Sequence, residues 1–153
     1  MRILADMKHA LAVLALVLAP AALAHTPEHG EMSDHIELVV DRAVTFKPMA
    51  DHLHILTVAD GRAIQIPRVD GEVAVAMSFN NEGGTILEFN NGLDYNFDYD
   101  LHFVNEEGEH IAPEFPVCTV GSNRVGTEHW PQPYAKIVIS NFRRTDGFNC
   151  PAG

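Results

Sequence analysis

Apolar and polar side chains alternate without interruption over residues 95–103 of the segment 95–104, the most regular pattern in the chain. One face carries Tyr95, Phe97, Tyr99, Leu101 and Phe103, and the other carries Asn96, Asp98, Asp100 and His102. A period of two residues is typical of a strand whose sheet has one face in a core and the other in water. The segment is therefore predicted to be a half-buried strand.

Shorter apolar runs bounded by turn residues predict the remaining strands. They lie at residues 52–58, 63–66, 73–79, 85–89 and 136–142. Asp60-Gly61 is a two-residue turn signal that predicts a hairpin between the first two of these strands. Six or seven short strands separated by turns indicate an all-β fold, an antiparallel β-sandwich with an immunoglobulin-like arrangement as one candidate.

Two segments give less definite patterns. Residues 36–44 fit helical spacing, and Asp34 with Glu37 resembles a capping box, yet apolar residues at alternate positions from Ile36 fit a strand equally well. Both interpretations of this segment stay open. Residues 118–133 contain two Gly and two Pro and are predicted to form a long loop.

The N-terminal residues 1–24 have the three parts of a secretory signal peptide. Arg2 and Lys8 supply positive charge, residues 10–18 are apolar, and Ala22-Leu23-Ala24 offers small residues for cleavage. The apolar run is shorter than the roughly 20 residues of a membrane-spanning helix. We therefore expect a cleaved signal and a periplasmic or secreted protein with no stable membrane anchor after processing. A His-rich tail at residues 25–35 and a single domain at residues 36–153 would follow.

The chain is acidic, with 21 Asp and Glu against 10 Lys and Arg and a formal net charge of −11. Such a surface repels nucleic acid and anionic lipid, and it suits a protein that meets cations. The expected partner is therefore a metal ion or another protein, and no nucleic acid.

The chain has two cysteines, Cys118 and Cys150, which lie in the predicted domain. In an exported chain two cysteines most simply form a disulfide. The sequence has no Cys-x-x-Cys spacing that would favour a metal site or a redox motif instead. The predicted disulfide would restrain the loop at residues 118–133.

Recognisable catalytic motifs are absent from the sequence. It has no phosphate-binding Gly-rich loop, no Gly-x-Ser-x-Gly and no His-Glu-x-x-His. A disulfide would also remove the cysteines as nucleophiles. An enzymatic function is therefore not favoured, although a catalytic site assembled from distant residues is compatible with the sequence.

Histidine is the feature that points to chemistry. The candidate metal ligands are His25 and His29 in the tail, the His52-x-His54 pair, and Asp100-x-His102 on the alternating strand. Imidazole is a borderline-soft donor that suits copper and zinc, and the thioethers of Met32 and Met49 would add ligands for Cu(I). A polar outer sheet face and a solvated tail explain the same residues without a metal.

Cleavage after Ala24 would make His25 the first residue, so its amine and ring nitrogen could both bind one ion. Together with Asp100-x-His102 this resembles the copper site of small periplasmic β-sandwich copper carriers, which pair an N-terminal His with Asp-x-His. It also resembles the histidine brace of secreted mono-copper oxygenases. The resemblance covers His25, Asp100 and His102, and it implies a copper site formed by these three residues.

Three functional classes follow from these observations. The favoured one is an exported metal-binding protein, for copper or another divalent transition metal, in a carrier or sequestering role. The second is a non-enzymatic interaction module, such as an inhibitor, an adhesin part or a subunit of an envelope complex. The third is a mono-copper redox enzyme. Trp130, in the predicted loop, fits a lid over the core better than a recognition anchor.

Overall fold

Two antiparallel sheets packed together form the described part of the chain, which in the computed structural model comprises residues 28–61, 66–105, 107–114 and 116–151. Within these ranges the chain forms ten strands and no helix. The predicted β-sandwich is confirmed. The predicted signal peptide and His25 lie outside the described residues. Among the residues that are described, no helix has the length and apolarity to span a membrane.

The strands divide between a six-stranded and a four-stranded sheet. The first has the order β1 (Met32–Ser33), β4 (Leu53–Asp60), β3 (Arg42–Pro48), β5 (Val73–Phe79), β6 (Thr85–Asn91), β9 (Val125–Trp130). The second has the order β2 (His35–Val39), β10 (Lys136–Thr145), β7 (Asn96–Val104), β8 (His110–Ile111). The sheets thus begin before residue 36, and the last residues of the predicted tail contribute to them.

The segment that fitted both helix and strand forms two strands, β2 and β3, in different sheets. Asp41 lies between them with a φ of 61°, and its backbone N–H donates to the carbonyl of Met77 (2.9 Å). Ile36 and Leu38 from β2 and Val44 and Phe46 from β3 are fully buried. Of the two interpretations of residues 36–44, the strand is therefore the correct one, because each strand buries alternate side chains between the sheets.

The hairpin that β4 forms lies on a different side from the predicted one. β3 and β4 pair with Pro48 opposite Leu53, and residues 49–52 form the turn. Of the strand predicted at 63–66 only Ile66 is described, and it is not in a strand. β4 therefore forms its hairpin with the preceding strand, β3, whereas the sequence predicted a hairpin with the following segment at residues 63–66.

The predicted loop at residues 118–133 contains a strand, β9, so that prediction is wrong for its second half. β9 pairs with β6, with Thr85 opposite Trp130 and Asn90 opposite Val125. Its residues alternate between exposed and half-buried. β9 is an edge strand of the six-stranded sheet and buries little side-chain surface, so it does not need the run of apolar residues by which a strand is recognised in the sequence.

Aromatic side chains fill much of the core between the sheets. Phe103 stacks on Tyr134 with ring centroids 3.7 Å apart and meets Trp130 edge-on at 4.9 Å. Trp130 is half-buried against this cluster, as a lid would be. The core-facing positions predicted for β7 are confirmed, since Phe97, Tyr99, Leu101 and Phe103 are all buried.

The predicted disulfide joins Cys118 to Cys150. Next to it, Val120 forms a β-bridge with Phe97 of β7. The backbone N–H of Cys118 also donates to Oε1 of Glu128 on β9 (2.7 Å). The segment at 117–121 is therefore tied to both sheets, and the disulfide attaches the C-terminal residues to it.

Candidate metal-binding sites

The polar column predicted on β7 lies on the outer face of the four-stranded sheet. Asp98, Asp100 and His102 are each half-buried and alternate with the core residues of the strand. Pairing with β10 places Ser140 opposite Asp100 and Val138 opposite His102. Asp100 and His102 therefore share one face, as predicted.

The carboxylate of Asp100 already has partners. Asn141 donates to Oδ2 through Nδ2 (2.8 Å), and Arg143 donates to Oδ1 through Nη1 (2.9 Å). The Asn141 hydrogen bond, followed by that from Arg143, holds the pKa of Asp100 below its usual range. Asp98 is likewise engaged and accepts from the hydroxyl of Thr119 (2.6 Å). A metal ion at Asp100 would have to compete with a guanidinium group.

His102 has a second imidazole beside it, that of His110 on β8. The ring centroids lie 6.3 Å apart with an interplanar angle of 54°. A metal–nitrogen bond of about 2.0–2.1 Å puts each ligand ring centroid about 3.2 Å from the ion, so two rings on one ion lie from about 5.2 Å apart at a tetrahedral angle to about 6.4 Å apart at a linear one. The separation of His102 and His110, 6.3 Å, is near the upper end of that range, so a tetrahedral ion would require the two rings to move about 1 Å closer.

His110 was not among the predicted ligands. It reaches His102 because β8 pairs with the end of β7, placing His110 opposite Val104. The turn between the two strands is closed by a hydrogen bond from the backbone N–H of Gly108 to the backbone carbonyl of Asn105 (3.1 Å). A turn signal at Asn105 and Gly108 is present in the sequence, and it is the one local feature that could have predicted this return.

A cleft of about 420 Å³ adjoins this face of β7, and we call it the β7 cleft. Charged and polar groups from β7 and β10 lie on one side of it, including Asp98, Asp100, His102 and Arg143. Proline residues 113, 116 and 151 and the disulfide segment also line it. Asp98 and Asp100 give the cleft two carboxylates against one guanidinium group.

The predicted pair His52 and His54 does not lie on one regular strand. β4 begins at Leu53, so His54 is in the strand and His52 is in the turn before it. The ring of His52 approaches Asp51, with 2.6 Å between Nδ1 and Oδ1, although a regular strand would have turned Asp51 away. His54 lies in register between Met32 of β1 and Lys47 of β3.

The remaining described tail histidine, His29, lies beside the same strand. Its Nδ1 contacts the backbone carbonyl of Leu56 in β4. The neighbouring backbone is also attached there, because the N–H of Gly30 donates to the carbonyl of Ile55 (2.8 Å). The tail therefore approaches the six-stranded sheet at residue 29.

The two groups of predicted ligands belong to different sheets. His29 and His54 lie at the β1–β4 edge of the six-stranded sheet, whereas Asp100 and His102 are on the outer face of the four-stranded sheet. Packed sheets are about 10 Å apart, so ligands on these two surfaces cannot share one ion. The structure brings His102 and His110 together instead.

A second cleft, of about 390 Å³, opens where the β3–β4 turn meets β10, and we call it the turn cleft. Met49, Asp51, His52, Asp34 and Asn141 are among its lining residues. His35 approaches the Asp34 carboxylate through Nδ1 (2.6 Å), the same arrangement that His52 has with Asp51. The Asp34–His35 hydrogen bond, together with the charge of His35, lowers the pKa of Asp34.

Over the described ranges, no three side chains among His, Cys, Asp and Glu come together as a ready-made metal cage. The candidate sites are therefore open pairs of donors.

The chain was also compared with protein-family models, curated proteins and solved structures, and none of these matches it.

Proposed function

We propose that the protein is exported and binds a divalent transition-metal ion, copper or zinc, in a carrier or sequestering role. The observation that carries the proposal is the pairing of His102 with His110, whose ring centroids are 6.3 Å apart. Two imidazoles at this spacing can bind one ion. Nitrogen donors of this kind suit Cu²⁺ and Zn²⁺ better than Ca²⁺ or Mg²⁺.

The accessibility of the pair favours reversible binding. His110 is exposed and His102 is half-buried, so solvent or a partner's ligand can complete the coordination. The acidic character of the chain favours the approach of a cation. An open two-histidine site in such a field suits capture and release rather than permanent structural binding.

Export is the second part of the proposal. It rests on the signal-like residues 1–24 and is supported by the Cys118–Cys150 disulfide. Disulfides persist in oxidising compartments such as the periplasm or the extracellular space. Mass spectrometry of the protein recovered from its exporting host would test this part, because it reports the first residue and the oxidation state of both cysteines.

Calorimetric titration of the purified protein with Zn²⁺ and Cu²⁺ tests the metal site. We expect His102→Ala and His110→Ala each to weaken binding at least about ten-fold, which corresponds to about 1.4 kcal/mol. His129→Ala is the matched control, since His129 is also exposed but lies on β9 of the six-stranded sheet, where it contacts Asn80 (2.7 Å). Binding that survives both variants would show that the ion is held elsewhere than at His102 and His110, and no binding to the wild type would favour the interaction module instead.

A further inference from the structure

We propose that the turn cleft is a second metal site, selective for Cu(I), in which Met49 and His52 are the ligands. This site is separate from the His102–His110 pair and does not depend on it. Three features support it: the register of the β3–β4 hairpin, the orientation of the His52 ring, and the charge of the cleft.

The hairpin register brings the two side chains together. Pro48 is paired with Leu53, and the backbone N–H of Met49 donates to the carbonyl of His52 (2.8 Å). Met49 and His52 are therefore the next facing pair, directly across a turn whose central residues are Ala50 and Asp51. Facing residues of an antiparallel pair have Cβ atoms about 4.5–5.5 Å apart, within reach of one ion for a thioether and an imidazole.

Both side chains line the same cleft and are accessible. Met49 is 51% exposed and His52 is 30% exposed, so solvent can reach both side chains. The aromatic ring of Phe142 lines the cleft beside them. A thioether and an imidazole thus share a partly apolar recess, which suits a soft ion better than a strongly hydrated one.

Asp51 holds the His52 ring in the way that an outer-shell carboxylate holds a metal-bound histidine. With Nδ1–H of His52 donating to Oδ1 of Asp51 (2.6 Å), Nε2 is left with its lone pair available. A carboxylate on the second ring nitrogen is the usual outer-shell partner of a histidine ligand, because it fixes the tautomer and raises the basicity of the donor nitrogen. The arrangement therefore prepares Nε2 for an ion before any ion is bound.

The charge of the cleft also favours a cation. The carboxylates of Asp34 and Asp51 line it, and none of its described lining residues is Lys or Arg. This distinguishes it from the β7 cleft, where Arg143 opposes a cation. Thioether donors select Cu(I) over the divalent ions, so the cleft is expected to discriminate by oxidation state.

Competition between the purified chain and the chelator bicinchoninate measures Cu(I) affinity, with Cu(I) supplied anaerobically as its acetonitrile complex. We expect Met49→Leu and His52→Ala each to weaken Cu(I) binding at least ten-fold. Met32→Leu is the matched control, since Met32 is 70% exposed on the adjacent β1, and it should change the affinity less than two-fold.

Methionine-methyl NMR of the same samples identifies the ligand without relying on affinity. The ε-methyl signal of Met49 should shift on addition of Cu(I), and that of Met32 should not. An unchanged Met49 signal, or a Met32→Leu variant that loses as much affinity as Met49→Leu, would overturn the proposal. A Cu(I)-dependent shift of the Met32 signal together with that loss would place the soft site at Met32, opposite His54.

Separate titrations distinguish the two proposed sites. Met49→Leu should leave Zn²⁺ binding at His102 and His110 unchanged, and His102→Ala should leave the Cu(I)-dependent shift of Met49 unchanged. Because Met49 is exposed and leucine has similar volume, the Met49→Leu variant is expected to fold, and a urea unfolding midpoint equal to that of the wild type would verify this.

Discussion

Nη1 of Arg143 lies 2.9 Å from Oδ1 of Asp100, so a guanidinium group occupies the carboxylate that the sequence predicts as a metal ligand. The register of β10 shifts between Ser140 and Arg143, and Asn141 there adopts a φ of 53°. This bulge is what brings both Asn141 and Arg143 to Asp100. A metal ion bound at His102 would have to compete with Arg143 for the carboxylate of Asp100.

Removal of this competition should strengthen divalent metal binding. Arg143→Gln releases Oδ1 of Asp100 beside His102, while Asn141 still donates to Oδ2, and it removes a positive charge from the site. A unit charge at this kind of solvated surface is worth about 0.5–1 kcal/mol, so Zn²⁺ affinity should rise about two- to five-fold in calorimetric titration. Arg144→Gln is the control, because Arg144 lies over the Tyr95 ring and not against Asp100. A fall in affinity for Arg143→Gln would contradict the competition.

Loss of the disulfide should lower stability without abolishing the fold. Cys118 and Cys150 are 32 residues apart, and closing a loop of that length is worth roughly 3–4 kcal/mol in the chain-entropy model. The double variant Cys118→Ser with Cys150→Ser should lose that amount in urea unfolding, and reduction of the wild type should reproduce the loss. A loss that exceeds it for the variant but not for the reduced protein would point to a defect of packing.

The carboxyl of Glu128 should make stability depend on pH. Burial raises its pKa, while the hydrogen bond from the backbone N–H of Cys118 opposes that increase. The fold therefore favours the protonated form, and the stability it contributes is present below the unfolded pKa of about 4.3 and is lost as pH rises through the folded pKa.

Glu128→Gln keeps a hydrogen-bond acceptor for Cys118 but removes the ionisation. Relative to the wild type, this variant should become more stable as the pH rises from about 4 to about 7, as measured by urea unfolding at each pH. Glu88→Gln, at an exposed position of the neighbouring β6, is the control and should show no such trend. A stability difference that stays constant or shrinks with rising pH would contradict this prediction.

Gly92 should not tolerate a side chain. A Cβ atom at Gly92 would lie 1.9 Å from the backbone carbonyl oxygen of Val69, and backbone cannot yield as a flexible side chain would. We expect Gly92→Ala to lower the free energy of unfolding by more than about 3 kcal/mol. Gly147→Ala is the control, since its Cβ would meet only the Thr145 hydroxyl at 3.8 Å. Equal unfolding midpoints for the two variants would show that the Val69 loop moves aside easily.

The sequence predicted those elements whose pattern depends on one strand alone. The alternation around Tyr99 and Leu101 is local, because a strand between core and solvent must place every second side chain inward. β9 was missed because Gly126 and Thr127 carry no such signal, and its pairing depends on β6, almost forty residues earlier. The sequence indicates Met49 only as an isolated thioether, and it is the turn at Ala50 and Asp51 that places this side chain opposite His52.

By itself, then, the sequence determined the all-β fold, the two-faced character of β7 and the pairing of Cys118 with Cys150. The first two follow from the alternation of apolar and polar residues along single strands, and the third follows from the presence of only two cysteines. Only the tertiary structure decided which donors meet: His110 reaches His102 through a strand return, and Arg143 reaches Asp100 through a bulge. Asp100 and Arg143 are 43 positions apart in the chain, whereas His102 and His110 are close in sequence, yet both contacts depend on how one strand is aligned with its neighbour. Hydrophobic periodicity shows which face of a strand is buried, but it does not determine which residue of the next strand lies opposite.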